Sequence, residues 1–227
     1  MRVAALYDIH GNAPALEAVL ADVPGSGAEL VVVGGDVVEG PLPMETLELL
    51  DAAMVPLVWV RGNCDRDPSD WVRERVGEER AAWLAGLPTT ATAEVDGLGA
   101  VCFCHGSPRS DEDIVTAVST VERVEPMLDG VAEALVVSGH THVQFDRVVA
   151  NRRLVNAGSV GMPYQGDSGW AYWTMFGPTV EHRRSAFDAD ALAAALRESA
   201  YPNPEWFEPE SPEQAAAEYE QMAQEQH

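Results

Sequence analysis

Short apolar runs alternate with helix-spaced apolar positions through the first 65 residues. Residues 2–7, 30–33 and 55–60 predict three strands. The middle one holds Val31-Val32-Val33, β-branched and apolar on both faces, as in a parallel sheet covered on both sides. Between the first two, Leu16, Val19 and Leu20 recur at helical spacing behind Pro14, which a first helical turn accepts. Met44 to Ala53 predicts a second helix, with Leu47, Leu50 and Met54 on one face. A strand–helix–strand–helix–strand series is the pattern of a parallel sheet with crossover helices.

The pattern then changes. Residues 68–86 are charged and predict short helices carrying Trp71 and Trp83. Thr89–Val95 and Gly99–Cys104 predict two strands joined at Asp96-Gly97, a strong hairpin signal. Ser119 or Thr120 is placed to cap a helix to Leu128, and Ala134–Val137 predicts another strand. Val143–Val149 with Arg153–Val155, and residues 170–176 with 179–185, predict two further hairpins; a helix from Asp188 to Glu198 follows. No repeat or linker divides the chain, so residues 1–200 are expected to form one domain. Residues 201–227 are acidic and Pro-rich. There, Ser211-Pro212-Glu213-Gln214 matches a capping box, and Ala215, Tyr219 and Met222 share a face. A helix docked on the body or a partner fits this stretch, and a partly mobile tail is the favoured expectation.

Composition narrows the function. Hydrophobic residues make up 46% of the 227, a globular balance. Thirty-seven acidic residues oppose 14 basic ones, all Arg, for a net charge of −23. Such a surface repels a phosphate backbone, so a broad nucleic-acid groove is not expected. Neither a secretory signal nor an apolar run of membrane-spanning length stands out. Cys64, Cys102 and Cys104 are an odd number with no disulfide framework, and a reducing cytoplasm is the expected location. Cys102 and Cys104 alternate along a strand and so share one face, where a core role is expected.

The chemistry collects at strand ends. Asp8 and His10, Asp36, Asn63, His105, and His140 and His142 each follow a predicted strand beside a glycine. Four of the six histidines stand there, outside any periodic apolar run. In open α/β sheets that edge is where ligands bind. Seven mixed oxygen and nitrogen donors exceed the needs of one structural or catalytic zinc. They suit two borderline divalent ions: Mn²⁺ first, with Fe²⁺, Ni²⁺, Co²⁺ or Zn²⁺ as alternatives. Such pairs promote in-line displacement at phosphorus.

The order Asp-x-His, Gly-Asp, Gly-Asn-Cys-Asp, His-Gly and Gly-His-Thr-His resembles the calcineurin-like metallophosphoesterase superfamily, in particular its small prokaryotic phosphodiesterases. Residues 156–163, Asn-Ala-Gly-Ser-Val-Gly-Met-Pro, resemble a further turn of that branch. The resemblance implies a four-layer α/β/β/α sandwich of two mixed sheets flanked by helices. It also implies that Asp8, His10 and His142 hold one metal, that Asn63, His105 and His140 hold the other, and that Asp36 bridges both. The implied reaction is in-line attack on a small phosphodiester or nucleotide by a hydroxide bridging the metals.

One position departs from many relatives. Cys64 stands where they carry a histidine that protonates the leaving group, and an ordinary thiol, titrating near 8.5, is a poor substitute. Asn12, Arg61, Arg66, Ser107, Arg109 and Tyr164 adjoin the motifs; each is a candidate substrate contact or an ordinary structural residue. Asp65 is expected to orient a neighbouring histidine. The alternatives are a phosphomonoester or phosphoprotein phosphatase, a dinucleoside polyphosphate hydrolase, and a non-catalytic scaffold of the same fold. A small phosphorylated substrate, no membrane and an open question of homo-oligomerisation complete the expectations.

Overall fold

A computed structural model of the protein describes residues 1–162, 164–166 and 168–225. Two five-stranded mixed sheets stack face to face. The first has the order β10-β9-β1-β2-β3 and comprises Val180–Ala186, Trp170–Phe176, Val3–Leu6, Leu30–Val33 and Leu57–Trp59. The second has the order β4-β5-β6-β8-β7 and comprises Thr90–Val95, Gly99–Cys104, Leu135–Ser138, Arg152–Asn156 and Phe145–Val149. β1, β2 and β3 run parallel, as do β5, β6 and β8; the remaining pairs are antiparallel.

Alternation along each strand builds the layers. Val3, Ala5 and Tyr7 point inward and meet Val101, Phe103, Val137 and Val155 of the other sheet. Ala4 and Leu6 point outward and pack with Val31 and Val33 against helices α1 (Ala13–Ser26), α2 (Pro43–Asp51) and α4 (Asp70–Ala85), through Leu16, Val19, Leu47, Leu50, Val72 and Leu84. On the outside of the second sheet, Cys102 and Cys104 share a face with Val136 and Leu154, covered by Val124, Met127 and Leu128. This is the four-layer sandwich, and both cysteines lie in its core.

Several boundaries differ from expectation for physical reasons. β3 is an edge strand of three half-buried residues, not a buried run from 55 to 60. α2 ends at Asp51, so Met54 leaves the apolar face shared by Leu47 and Leu50 and is fully exposed. The charged stretch 68–86 does form short helices as expected: α4 is two helical segments broken at Gly77, whose φ of 80° only glycine adopts readily. The capped helix expected to reach Leu128 is a short helix, α5 (Val121–Val124), running into a 3₁₀ turn.

The last segment departs most. After α6 (Ala189–Ser199), residues 204–207 make a 3₁₀ turn, and Pro212–Glu225 forms α7. Its capping box is formed: the Gln214 N–H donates to Ser211 Oγ at 3.2 Å, and the Ser211 N–H donates to Gln214 Oε1 at 3.4 Å. The helix is docked, the other arrangement the sequence allowed, and buries Ala215 and Ala223. One Glu220 oxygen accepts from Thr116 Oγ1 at 2.7 Å, from Ser119 Oγ at 2.5 Å and from Arg123. Of the two expected caps, Thr120 takes the N-cap position of α5, without a side-chain hydrogen bond, and Ser119 is a fastening point for α7. Residues 226 and 227, and Pro163 of the glycine-rich turn, lie outside the described residues.

Candidate metal centre

The carboxyl ends of β1, β2, β3, β5 and β6 meet at one edge of the sandwich, and the seven predicted donors come with them. Two clusters of possible ligand atoms form: Asp8, His10 and His142, and Asp36, His105 and His140. Within each, the atoms lie no more than 4.8 Å apart. A third such group joins His10, Asp36 and Cys64. Asn63 stands beside the second cluster, with its Oδ1 3.1 Å from His105 Nε2. Asp36 Oδ2 lies 3.3 Å from His105 Nε2 and 3.8 Å from His10 Nε2, between the two clusters.

The backbone is bent to deliver these groups. Asp8, His10, Asp36, His140 and His142 all have φ between 48° and 63°. Non-glycine residues avoid this left-handed region, and surrounding structure must hold them there. Glycines allow the close approach: a Cβ at Gly62 would fall on the Asp36 carboxylate, and one at Gly139 on that of Asp8. The turn after β8 closes the frame. Asn156 donates to Gly139 O (2.7 Å) and Thr141 Oγ1 (3.0 Å), and Ser159 Oγ donates to Asp8 O (2.9 Å).

Asp65 has a different job from the one expected. Its buried carboxylate accepts the backbone N–H groups of Asp36 (2.8 Å), Val37 (2.9 Å) and Gly62 (2.9 Å) and, among the described residues, hydrogen-bonds no histidine. It clamps the loop after β2 to the loop after β3. Asp36 Oδ1 in turn accepts the Cys64 N–H at 2.8 Å.

The donor set fits divalent cations. Asp8 Oδ1 is buried without a hydrogen-bond partner and lies 3.4 to 4.0 Å from the Nε2 atoms of His142, His105 and His10. An orphaned carboxylate oxygen facing imidazoles is costly unless a cation completes it. His105 Nδ1 donates to Gly34 O (2.9 Å) and His10 Nδ1 to Glu39 O (3.2 Å), leaving each Nε2 lone pair turned inward. Burial holds His10 and His140 down to about 4, so both imidazoles are neutral at pH 7, the form a metal ion requires. For His105, burial is outweighed by Asp36 and Asp8, which raise it to about 10; His105 in turn holds Asp36 well below the usual carboxylate range against the opposing effect of burial. Burial, then Asp36, pushes the Cys64 thiol up, so it stays protonated.

The flanking candidates divide. Asn12 is buried and used at both ends: its Oδ1 accepts the Ala15 N–H (3.1 Å) to cap α1, and its Nδ2 donates to Gly161 O (2.8 Å). Arg61 and Arg66 pair with Asp111, Arg66 also pairs with Glu112, and Arg109 pairs with Asp113. Ser107 Oγ donates to Asp113. These five side chains all make structural contacts, the role offered for each beside a substrate contact. Tyr164 alone stands at the centre, its ring 4.8 Å from that of His142.

A cavity of about 360 Å³ opens over the donors, lined by His10, Asp36, Asn63, Cys64, His140 and His142 and, on the other side, by Met162, Tyr164, Trp206, Tyr219 and Met222. The last three belong to the carboxyl-terminal segment and were not expected at the site. For Tyr219 and Met222 the signal in the sequence was the face they share with Ala215, which allowed a docked helix without giving its address; none marked Trp206.

Comparisons with known proteins agree with this geometry. Residues 1–175 match the family model described as the calcineurin-like phosphoesterase superfamily domain. The chain is 37% identical to phosphodiesterase YfcE of Escherichia coli K12 over 76 residues, a match spanning 30% of this chain and 41% of that protein. It is 26% identical over 197 residues to an uncharacterised protein of Methanocaldococcus jannaschii, covering 72% of this chain and 78% of the other. Among solved structures, a metallophosphoesterase from Sphaerobacter thermophilus superposes with a TM-score of 0.69 at 27% identity, covering 89% of this chain and 95% of that one. A hypothetical protein from Pyrococcus horikoshii OT3 gives 0.74 at 20% identity, over 88% and 94%. With three quarters of its length inside the family model and its strand-end donors gathered at one edge, the chain belongs to the calcineurin-like phosphoesterase superfamily.

Proposed function

We propose that the protein is a dinuclear-metal phosphodiesterase acting on a small phosphodiester or nucleotide. The carrying observation is the pair of donor clusters with Asp36 between them. In this reading Asp8, His10 and His142 hold one ion, Asn63, His105 and His140 the other, and Asp36 both, with Mn²⁺ as the first choice. When bound, the ions neutralise phosphoryl charge and lower the pKa of an attacking water. The chain's own work is placement: the left-handed turns fix the donors, and Asp65 holds the Asp36 loop. The family match and the phosphodiesterase named among the relatives support this chemistry.

Among the described residues, no side chain at the centre outside the proposed metal ligands offers a proton to a leaving group as an imidazolium would. Cys64 occupies that corner as a protonated thiol. Esters whose leaving groups have low pKa are therefore preferred. Cys64→His is expected to raise turnover of an alkyl phosphomonoester by about 10²–10⁴-fold, the usual contribution of a positioned general acid. An unchanged rate would count against the absence of an acid as the limiting factor.

The reading is tested by turnover of bis-p-nitrophenyl phosphate and p-nitrophenyl phosphate by Mn²⁺-loaded protein. A larger kcat/KM for the diester supports it; a larger value for the monoester favours a phosphomonoesterase built on the same centre. Chelation should abolish diester turnover, and added Mn²⁺ should restore it. Metal should also raise Tm, since a ligand that binds only the folded state stabilises it by about 2.7 kcal/mol at a hundred times its Kd.

A further inference from the structure

The cavity over the metal centre is finished by residues beyond the family match, which ends at residue 175. Trp206 and, from α7, Tyr219 and Met222 join Tyr164 and Met162 in an apolar wall beside the donors. The Tyr219 ring stands 6.1 Å from the His140 ring and 6.2 Å from the His142 ring, and the Tyr164 ring stands 4.8 Å from that of His142. The wall is fixed by the Glu220 contacts to Thr116, Ser119 and Arg123 and by the Tyr201 hydroxyl, which donates to Glu39 at 3.2 Å.

Two further properties of the cavity select a ligand. Trp206 is 40% exposed and Met222 44% exposed, so apolar surface beside the donors is open to water, and a ligand that covered it would gain by the burial. The described lining residues include no arginine, and the nearby Arg61, Arg66 and Arg109 are paired with Asp111, Glu112 and Asp113. Apart from the metals, nothing among the described residues of the cavity neutralises a second or third phosphate charge. At about 360 Å³ the space also lies at the small end of ligand pockets, which run from about 300 to 1,000 Å³.

We infer that Tyr219, Met222 and Trp206 are specificity-determining residues that select a small, singly charged phosphodiester carrying a flat aromatic substituent, which lies against the wall while the phosphate faces the donors. The inference rests on the phosphodiesterase reading above and adds the substrate class. A nucleobase and a simple aryl group share this chemistry.

The test compares bis-p-nitrophenyl phosphate with methyl p-nitrophenyl phosphate, which release the same phenolate and differ only in the group that stays. In Tyr219→Ala the aryl-to-methyl ratio of kcat/KM should fall about tenfold from its wild-type value, the scale of one lost stacking contact, while Tyr219→Phe keeps the ratio. Met222→Ala, at a half-exposed site that folding tolerates, should lower the ratio in the same direction. Calorimetry with phenyl phenylphosphonate and methyl methylphosphonate gives an independent readout: Tyr219→Ala should weaken the first about tenfold and leave the second within twofold. Equal losses for aryl and methyl compounds would overturn the inference. If wild type turned over neither diester, the phosphodiesterase reading itself would fail. Thymidine 5′-(p-nitrophenyl phosphate) separates the two sources: a rate above that of the bis-aryl ester assigns the ring to a nucleobase, a lower rate to a simple aryl group.

Discussion

Asp36→Ala is expected to lower diester kcat by about 10³-fold or more and to reduce bound metal at both positions. Its carboxylate lies between the two donor clusters, 3.3 Å from His105 Nε2 and 3.8 Å from His10 Nε2, so its loss affects both sites at once. A metal pair contributes several kcal/mol of charge stabilisation, and each 1.36 kcal/mol is tenfold in rate. His140→Ala removes a donor from one cluster only and should keep metal at the other. The comparison is made by elemental analysis of the two purified variants alongside steady-state kinetics. Equal metal loss in both would argue against a bridging position for Asp36.

Asp65→Ala should cause the largest loss of stability among variants near the site. The side chain is fully buried and satisfies three backbone N–H groups belonging to two loops. Alanine would leave those donors buried and unpaired, at about 1–3 kcal/mol each before relaxation. A net loss of about 3–5 kcal/mol corresponds to roughly 6–20 °C in Tm for a chain of this size. Asp65→Asn keeps one carbonyl acceptor and should fall between. The same loops carry Asp36 and Asn63, so the alanine variant should also bind metal more weakly. Thermal unfolding decides the matter, and a drop under about 2 °C would mean that the clamp is dispensable.

Much of the site was legible because its signals are local. A strand, a glycine and a donor are adjacent in sequence, and the sheet brings such ends together whatever the loops do. Asp8, Asp36 and His105 could therefore be placed side by side from the pattern alone. Asp65 was misread because its partners are backbone N–H groups of Asp36 and Val37, nearly thirty residues earlier, and no side-chain pattern marks an N–H that lacks a partner. The arginines beside the motifs were equally ambiguous: whether Arg61 meets a substrate or Asp111 depends on how residues 106–118 fold. For α7 the capping box and the apolar face identified the helix, but its docking depends on Glu220 reaching Thr116 and Ser119 about a hundred residues away. The third strand failed for a simpler reason. Its composition cannot distinguish a sheet centre from a sheet edge, and β3 lies at the edge.

The central claim is that one chain holds two divalent ions between Asp8 and His142 on one side and His105 and His140 on the other. Elemental analysis of protein loaded with Mn²⁺ and freed of excess tests it most directly. The account predicts two ions per chain, together with turnover of bis-p-nitrophenyl phosphate. Protein that retains no metal and leaves the diester intact would contradict it.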